Sequence, residues 1–218
     1  MLSAWGCAVT RVCRGKPLRT VRLEPLFKIQ ITPLAPSWLR WHSMKHFSGN
    51  DTAAYKALAG HWCSTVTVVT VKRKAEFIGP EAPEFDGYTA TAFFTVSIDP
   101  PIIIVSATNK GSAFAMLSQA DHFVVNLLDA SQEEIAGAFA RPSSERVANW
   151  ERFAWQFDAS GAPLILGSMG AFSASTRQLI PAGDHTLVLG DVTEIHRGDL
   201  SVPLMYSNRA YTKPANAE

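Results

Sequence analysis

Residues 86–101 read DGYTATAFFTVSIDPP. From Thr89 the odd positions are Thr89, Thr91, Phe93, Thr95 and Ser97, and the even ones are Tyr88, Ala90, Ala92, Phe94, Val96 and Ile98. A period of two, with hydroxyls on one side and apolar groups on the other, predicts a single half-buried strand. Pro100-Pro101 ends it, because proline cannot donate to a ladder. A strand that lines one face with four hydroxyls invites a polar ligand along that face.

Outward from this stretch the chain reads mainly as strands. TVTVVTV (65–71) is a β-branched run, and IIIVSAT (102–108) a continuous apolar strand expected to be fully buried. FVVNLL, AFSASTRQLI, HTLVLGDVTEIH and PLMYSNRAY continue the series. The helices are short: residues 51–62 with Asp51 or Asn50 as N-cap, SAFAMLSQA (112–120), and SQEEIAGAFA opening with a Ser131–Glu134 capping box. Residues 72–86 read as an exposed loop, and residues 142–160 as irregular and aromatic. Many strands with few, short helices predict one closed or partly closed barrel with peripheral helices rather than a doubly wound sheet.

Composition excludes several classes. The net charge of +1 in 218 residues lacks the basic excess of a nucleic-acid binder, and no run approaches the roughly 18–20 apolar residues of a membrane-spanning helix. Three cysteines without metal-ligand spacing suit reduced thiols in a cytoplasmic compartment. Residues 1–43 carry seven Lys and Arg against one acid, a local net of +6, so the remainder is at −5. This proline-containing stretch reads as a disordered basic extension, either a mis-assigned start ahead of Met44 or a targeting segment that would direct the chain to the mitochondrial matrix. The domain proper is then 44–218. G-x-S-x-G, G-x-x-x-x-G-K-[ST] and G-x-G-x-x-G are absent, which argues against serine hydrolases, P-loop enzymes and Rossmann domains. The six histidines form no metal-binding cluster.

ATNKGSAF (107–114) places Lys110, Gly111 and Ser112 between a strand and a helix start. Free backbone N–H groups, the lysine charge and the Ser112 hydroxyl converge there, which suits a phosphate; Ser112 can also serve as the plain helix cap. Beside the threonine face, this turn suits a phosphorylated heteroaromatic cofactor laid along the strand.

GYTATAFFTVSIDPPIIIVSATNKGSAF, with STVTVVT upstream and FVVNLLDASQEEIAGAFA, GAPLI, GDHTLVLGDV and PLMYSNRAY downstream, resembles the flavin reductase-like FMN-binding split-barrel family over essentially residues 50–212. The resemblance implies a homodimeric NAD(P)H:flavin oxidoreductase. Such an enzyme moves hydride from C4 of NADH or NADPH to N5 of FMN or FAD and supplies reduced flavin to a separate monooxygenase, with the protein chiefly stacking the two rings. It further implies that Thr89, Ala90, Thr91 and Ala92 meet the flavin ring, partly through backbone groups. Ser106, Ala107, Thr108, Asn109, Lys110 and Ser112 would follow its chain to the phosphate. Phe139, Ala140 and Arg141 would border it, with Arg141 a candidate for stabilising the reduced ring, and Tyr206 and Arg209 would line the same cleft. His185, in GDHT, would face the nicotinamide. Thr91 and Ala92 depart from the asparagine and serine usual in the family, so Ala92 offers the ring no hydroxyl. A flavin-dependent oxidase or a non-catalytic flavin-binding protein on the same barrel is the alternative.

Overall fold

The 86–101 stretch does not run as one strand. In this computed structural model, which describes residues 45–79, 82–198 and 202–215, it breaks at Thr91-Ala92 into β3 (Phe85–Ala90) and β4 (Phe93–Ile98). The two halves go to opposite edges of one antiparallel seven-stranded sheet. The order is β3, β2 (Thr67–Lys72), β6 (His122–Leu127), β9 (Gly170–Ala182), β10 (His185–Arg197), β5 (Pro101–Thr108), β4. The Cα atoms of Ala90 and Phe93 are separated by three peptide steps, at most about 11 Å. A sheet whose two edges are tied that closely must curl until they face each other. The β3 and β4 edges do not pair, so the result is a split barrel.

The barrel interior is filled from alternate positions. Val69, Val71, Tyr88, Ala90, Ile103, Val105, Ala107, Phe123, Val125, Ala174 and Val188 form its core. Met116 and Leu117 of α2 (Ser112–Ser118) belong to the same cluster. β2 is buried on both faces from Thr67 to Val71, because its outer side meets a second cluster of Val66, Val68, Leu128, Ala136, Phe139, Ile165 and Leu204. That double cover explains the unbroken β-branched run in its sequence. In contrast, β5 alternates: Ile103, Val105 and Ala107 point inward, while Ile102, Ile104 and Ser106 are half-buried. The expectation of a fully buried β5 fails because the described residues cover its outer face only in part.

A hairpin of two 13-residue strands, β9 and β10, spans the barrel, with register shifts at Leu189/Gly190 and Val192/Glu194. Gly190 is obligatory at its position, since a Cβ there would lie 2.6 Å from the Phe123 ring. A separate three-stranded sheet pairs β1 (Ser64–Thr65) with β11 (Met205–Ser207) and β11 with β12 (Ala210–Thr212). A small ribbon joins β7 (Trp155–Phe157) to β8 (Pro163–Ile165).

Local expectations fare unevenly. Asp51 caps α1 (Thr52–Ala59), accepting from the N–H groups of Ala53 and Ala54. The capping box before α3 (Glu133–Phe139) lies two residues earlier than the Ser131–Glu134 reading: Asp129 and Gln132 form it around a short 3-10 turn. Residues 142–160 contain two single-turn helices, α4 (Ser143–Arg146) and α5 (Asn149–Arg152), under an aromatic cluster in which Trp150 and Trp155 pack edge-on at 5.7 Å. The expectations for residues 1–43 lie outside the described residues.

Candidate functional site

Antiparallel pairing of β5 with β10 sets His185 opposite Thr108, Thr186 opposite Ala107 and Leu187 opposite Ser106. Two segments far apart in sequence thus share one end of the barrel. Side chains then lock the turn: the Thr186 hydroxyl donates to Asn109 Oδ1 at 2.7 Å, and Asn109 Nδ2 donates to the Gly183 carbonyl at 3.3 Å. Asn109 N–H also donates to the Asp184 carbonyl at 3.0 Å. Gly111 is required here, because its N–H closes the turn onto the Thr108 carbonyl and a Cβ would lie 2.5 Å from Thr108 Oγ1. Lys110 is exposed and makes no hydrogen bond or ion pair among the described residues.

His185 is partly exposed, and its Nδ1 lies 2.7 Å from Asp184 Oδ1. A carboxylate only accepts, so Nδ1 carries the proton and Nε2 is left for another partner. That hydrogen bond, aided by the electrostatic attraction of the His185 side chain, holds the Asp184 carboxyl below its ordinary value.

Ser112 is not the cap of α2; Gly111 occupies that position, and Ser112 is the first helical residue. Its hydroxyl is instead met at 3.2 Å by Nη2 of Arg146. Arg146 belongs to a buried ionic network that the sequence reading missed. Asp86 accepts from Arg146 Nε and Nη2, each at 3.2 Å, and from Arg73 Nη2 at 3.0 Å. All three side chains are buried. One carboxylate between two guanidinium groups leaves a net charge of +1 in the interior. Arg146 Nη1 also donates to the Arg141 carbonyl at 3.0 Å. The 72–86 segment is therefore not simply an exposed loop: Arg73 and Asp86 are anchored at its two ends. The network spans 73 positions of sequence, from Arg73 to Arg146, so no local pattern announces it. The available signal was an aspartate in step with Tyr88 and Ala90, on the face of β3 that turns into the core.

The remaining expected residues fall in three places. The Thr89 hydroxyl donates to the Ala136 carbonyl of α3 at 2.6 Å, and the Ala90 carbonyl accepts from the Thr67 hydroxyl at 2.9 Å. Neither group is idle along an open face. Thr91 and Ala92 form the half-buried corner between β3 and β4, where the Ala92 carbonyl accepts from Ser106 N–H at 3.1 Å. Phe139 is a core residue, 1% exposed, with its ring against Gly87 and, at 5.1 Å, Trp150. Ala140 and Arg141 are exposed at the end of α3. Tyr206 packs on Tyr211 at 5.5 Å in the small sheet, and Arg209 sits beyond it in a left-handed turn with φ 62°. No hydrogen bond or ring contact among the described residues links that pair to the 106–112 segment.

An exposed lysine, a hydroxyl backed by a buried guanidinium and a turn that admits no Cβ at Gly111 together make a donor set whose chemistry suits a phosphate monoester or diester. The donor set fits a flavin nucleotide.

Residues 59–215 match the profile of the Flavin reductase like domain. The chain belongs to this flavin reductase family. It is 33% identical over 164 residues to an NADH:FMN oxidoreductase of Rhodococcus erythropolis, covering 73% of this chain and 80% of that one. It is 34% identical over 131 residues to the reductase component of a flavin-dependent trigonelline monooxygenase of Acinetobacter baylyi, covering 60% and 41%. Among solved structures, the Streptomyces globisporus C-1027 NADH:FAD oxidoreductase SgcE6, in complex with NAD and FAD fragments, superposes with TM-score 0.69 at 28% identity over 79% of this chain and 98% of that one. No helix among the described residues of this flavin reductase-family chain is long and apolar enough to cross a membrane.

Proposed function

We propose that the protein is a flavin reductase that takes hydride from NADH or NADPH, delivers it to FMN or FAD, and passes the reduced flavin to a flavin-dependent monooxygenase. The observation that carries this reading is the register of β5 against β10, which seats His185 directly across from Thr108 at the head of the Asn109–Ser112 turn. A nicotinamide-facing imidazole and a phosphate-holding turn on adjacent strands suit two substrates that must lie against each other. The flavin supplies the hydride-accepting ring and the nicotinamide supplies the hydride. The chain's own contribution is to bind, align and dry the pair.

Lys110 and Ser112 would hold the phosphate, and the Thr91-Ala92 corner would present backbone groups to the ring. His185, fixed through Nδ1 on Asp184, would offer Nε2 to the nicotinamide carboxamide. Each hydrogen bond to a charged group contributes about 1.5–3 kcal/mol, so the turn supplies a large part of a micromolar affinity, near −8 kcal/mol.

The reading includes a homodimer. Phe94, Val96 and Ile98 on β4 are 54%, 56% and 96% exposed. A long apolar edge strand left in water invites pairing with another chain, and a second copy covering it would complete the outer wall of β5.

The test is an absorbance assay on the full chain with NADH or NADPH, adding FMN and FAD in turn. Reduced nicotinamide should be consumed only when flavin is supplied. Tight flavin binding without consumption would replace the proposal with a non-catalytic binding protein, and turnover on resident flavin alone would point to an oxidase. His185→Ala should raise KM for the nicotinamide more than for flavin; equal effects on both would remove His185 from the nicotinamide side.

A further inference from the structure

We propose that Arg146, seated on Asp86, fixes the Ser112 hydroxyl as a hydrogen-bond donor and so makes the 110–112 turn selective for the phosphorylated flavins over riboflavin. The proposal rests on the flavin reading above and adds to it a positioning residue 34 positions from the serine it governs.

A guanidinium has five N–H donors, no acceptor, and keeps its charge at any pH a protein survives. Arg146 spends four of these donors: Nε and Nη2 on Asp86, Nη1 on the Arg141 carbonyl, and Nη2 again on Ser112 Oγ. A serine hydroxyl can donate or accept as its surroundings require. With an N–H aimed at its oxygen it must turn its own proton away from Arg146, and that proton meets no acceptor among the described residues. Whatever binds there has to bring an acceptor.

Charge then separates the acceptors. Arg146 is 4% exposed and Arg73 7%, and they share one carboxylate, so the excess positive charge lies where salt screens it poorly. The terminal hydroxyl of riboflavin would gain a neutral hydrogen bond from Ser112. A phosphate oxygen gains a charge-assisted one, with the Arg146 guanidinium behind it. Arg146 also pins the backbone of Arg141 to the same point, so one side chain orders β3, the start of α2 and the end of α3 together. The competing role is a purely structural clasp between α4 and β3. A clasp would affect both flavins alike.

The test measures dissociation constants of FMN and riboflavin, by flavin fluorescence, for the full-length protein and for Arg146→Lys, Arg146→Gln, Ser112→Ala, Lys110→Ala and the Arg146→Lys/Ser112→Ala pair. Circular dichroism and a thermal midpoint confirm folding. Lysine keeps a charge for Asp86 but cannot reach Asp86, Arg141 and Ser112 at once, and glutamine keeps an amide donor without the charge, so either variant that folds is informative. The affinity ratio of FMN to riboflavin should fall about tenfold in each Arg146 variant. Ser112→Ala should do the same, and the double variant should fall no further than Ser112→Ala alone. Arg146 variants that weaken both flavins equally, or effects of Arg146 and Ser112 that simply add, would overturn the proposal. If Lys110→Ala lowers the ratio while the Arg146 variants do not, the phosphate assignment stands and only the role of Arg146 falls. If no variant moves the ratio, both fall together.

Discussion

β3 and β4 are two halves of one alternating sequence, two residues apart, and both are edge strands of the same sheet. Their surroundings are opposite. In β3, Asp86, Gly87, Tyr88 and Ala90 are buried, with Asp86 bonded to two arginines and Thr89 tied to α3. In β4, Phe94, Val96 and Ile98 stand in water while only Phe93 turns inward, 6.0 Å from the ring of Phe172. Alternation states which residues share a face. It does not state whether anything covers that face. α3 and the Arg146 segment cover β3 from within the chain; none of the described residues covers the outer side of β4.

The sharpest way to break this comparison is at Asp86. Asp86→Ala leaves two buried guanidinium groups without their carboxylate and should destabilise the fold by about 3–5 kcal/mol, read as a lower denaturant midpoint. A loss below about 1 kcal/mol would show that the β3 side is far wetter than its burial indicates.

Phe93→Ala against Phe94→Ala comes next. Phe93 is half-buried against the core, so its truncation should cost about 2 kcal/mol, below the range for a fully buried phenylalanine. Phe94→Ala should change the unfolding free energy of the isolated subunit by no more than about 0.5 kcal/mol. It should instead shift the mass seen in analytical ultracentrifugation from dimer toward monomer at low protein concentration. A mass that does not respond to Phe94→Ala or to Val96→Asp would sink the assignment of β4 as the contact between copies.

The smallest expected effect concerns Tyr88. Its hydroxyl is buried and has no hydrogen-bond partner among the described residues, and burial raises the phenol well above its ordinary value of 10.0. The folded state therefore binds the proton more tightly than the unfolded one. Stability from this group is complete below pH 10 and is lost as the pH climbs beyond it, because only the unfolded chain ionises readily. Tyr88→Phe should be neutral or stabilising by about 1 kcal/mol at pH 7 and should flatten the alkaline decline. Destabilisation on that change would reveal a partner for the hydroxyl.

The legible parts of the fold are those governed by local rules. Strand positions, the Asp51 cap, the stop at Pro100-Pro101 and the barrel class follow from periodicity, capping chemistry and the missing proline donor. The turn at 109–112 was legible for the same reason, since a glycine beside a lysine and a serine marks a strand-to-helix junction. The break at Thr91-Ala92 was not, because nothing in ATA differs from the residues around it; the chain bends there so that its two halves can pair with β2 and β5. The placement of Phe139 in the core was equally hidden, since an aromatic at a helix end fits a ligand pocket and a packed interior alike.

The order of apolar and polar residues, by itself, settled what could be strand, helix or turn and gathered Lys110, Gly111 and Ser112 at one junction. Those are interactions between neighbours in the chain, and a sequence records neighbours. Tertiary structure alone decided that Arg146 would reach Asp86 and Ser112, that His185 would pair across from Thr108, and that the described residues would leave β4 exposed. Each of those outcomes depends on which distant segments meet when the sheet curls, and electrostatic and packing energies act across space without regard to separation along the chain.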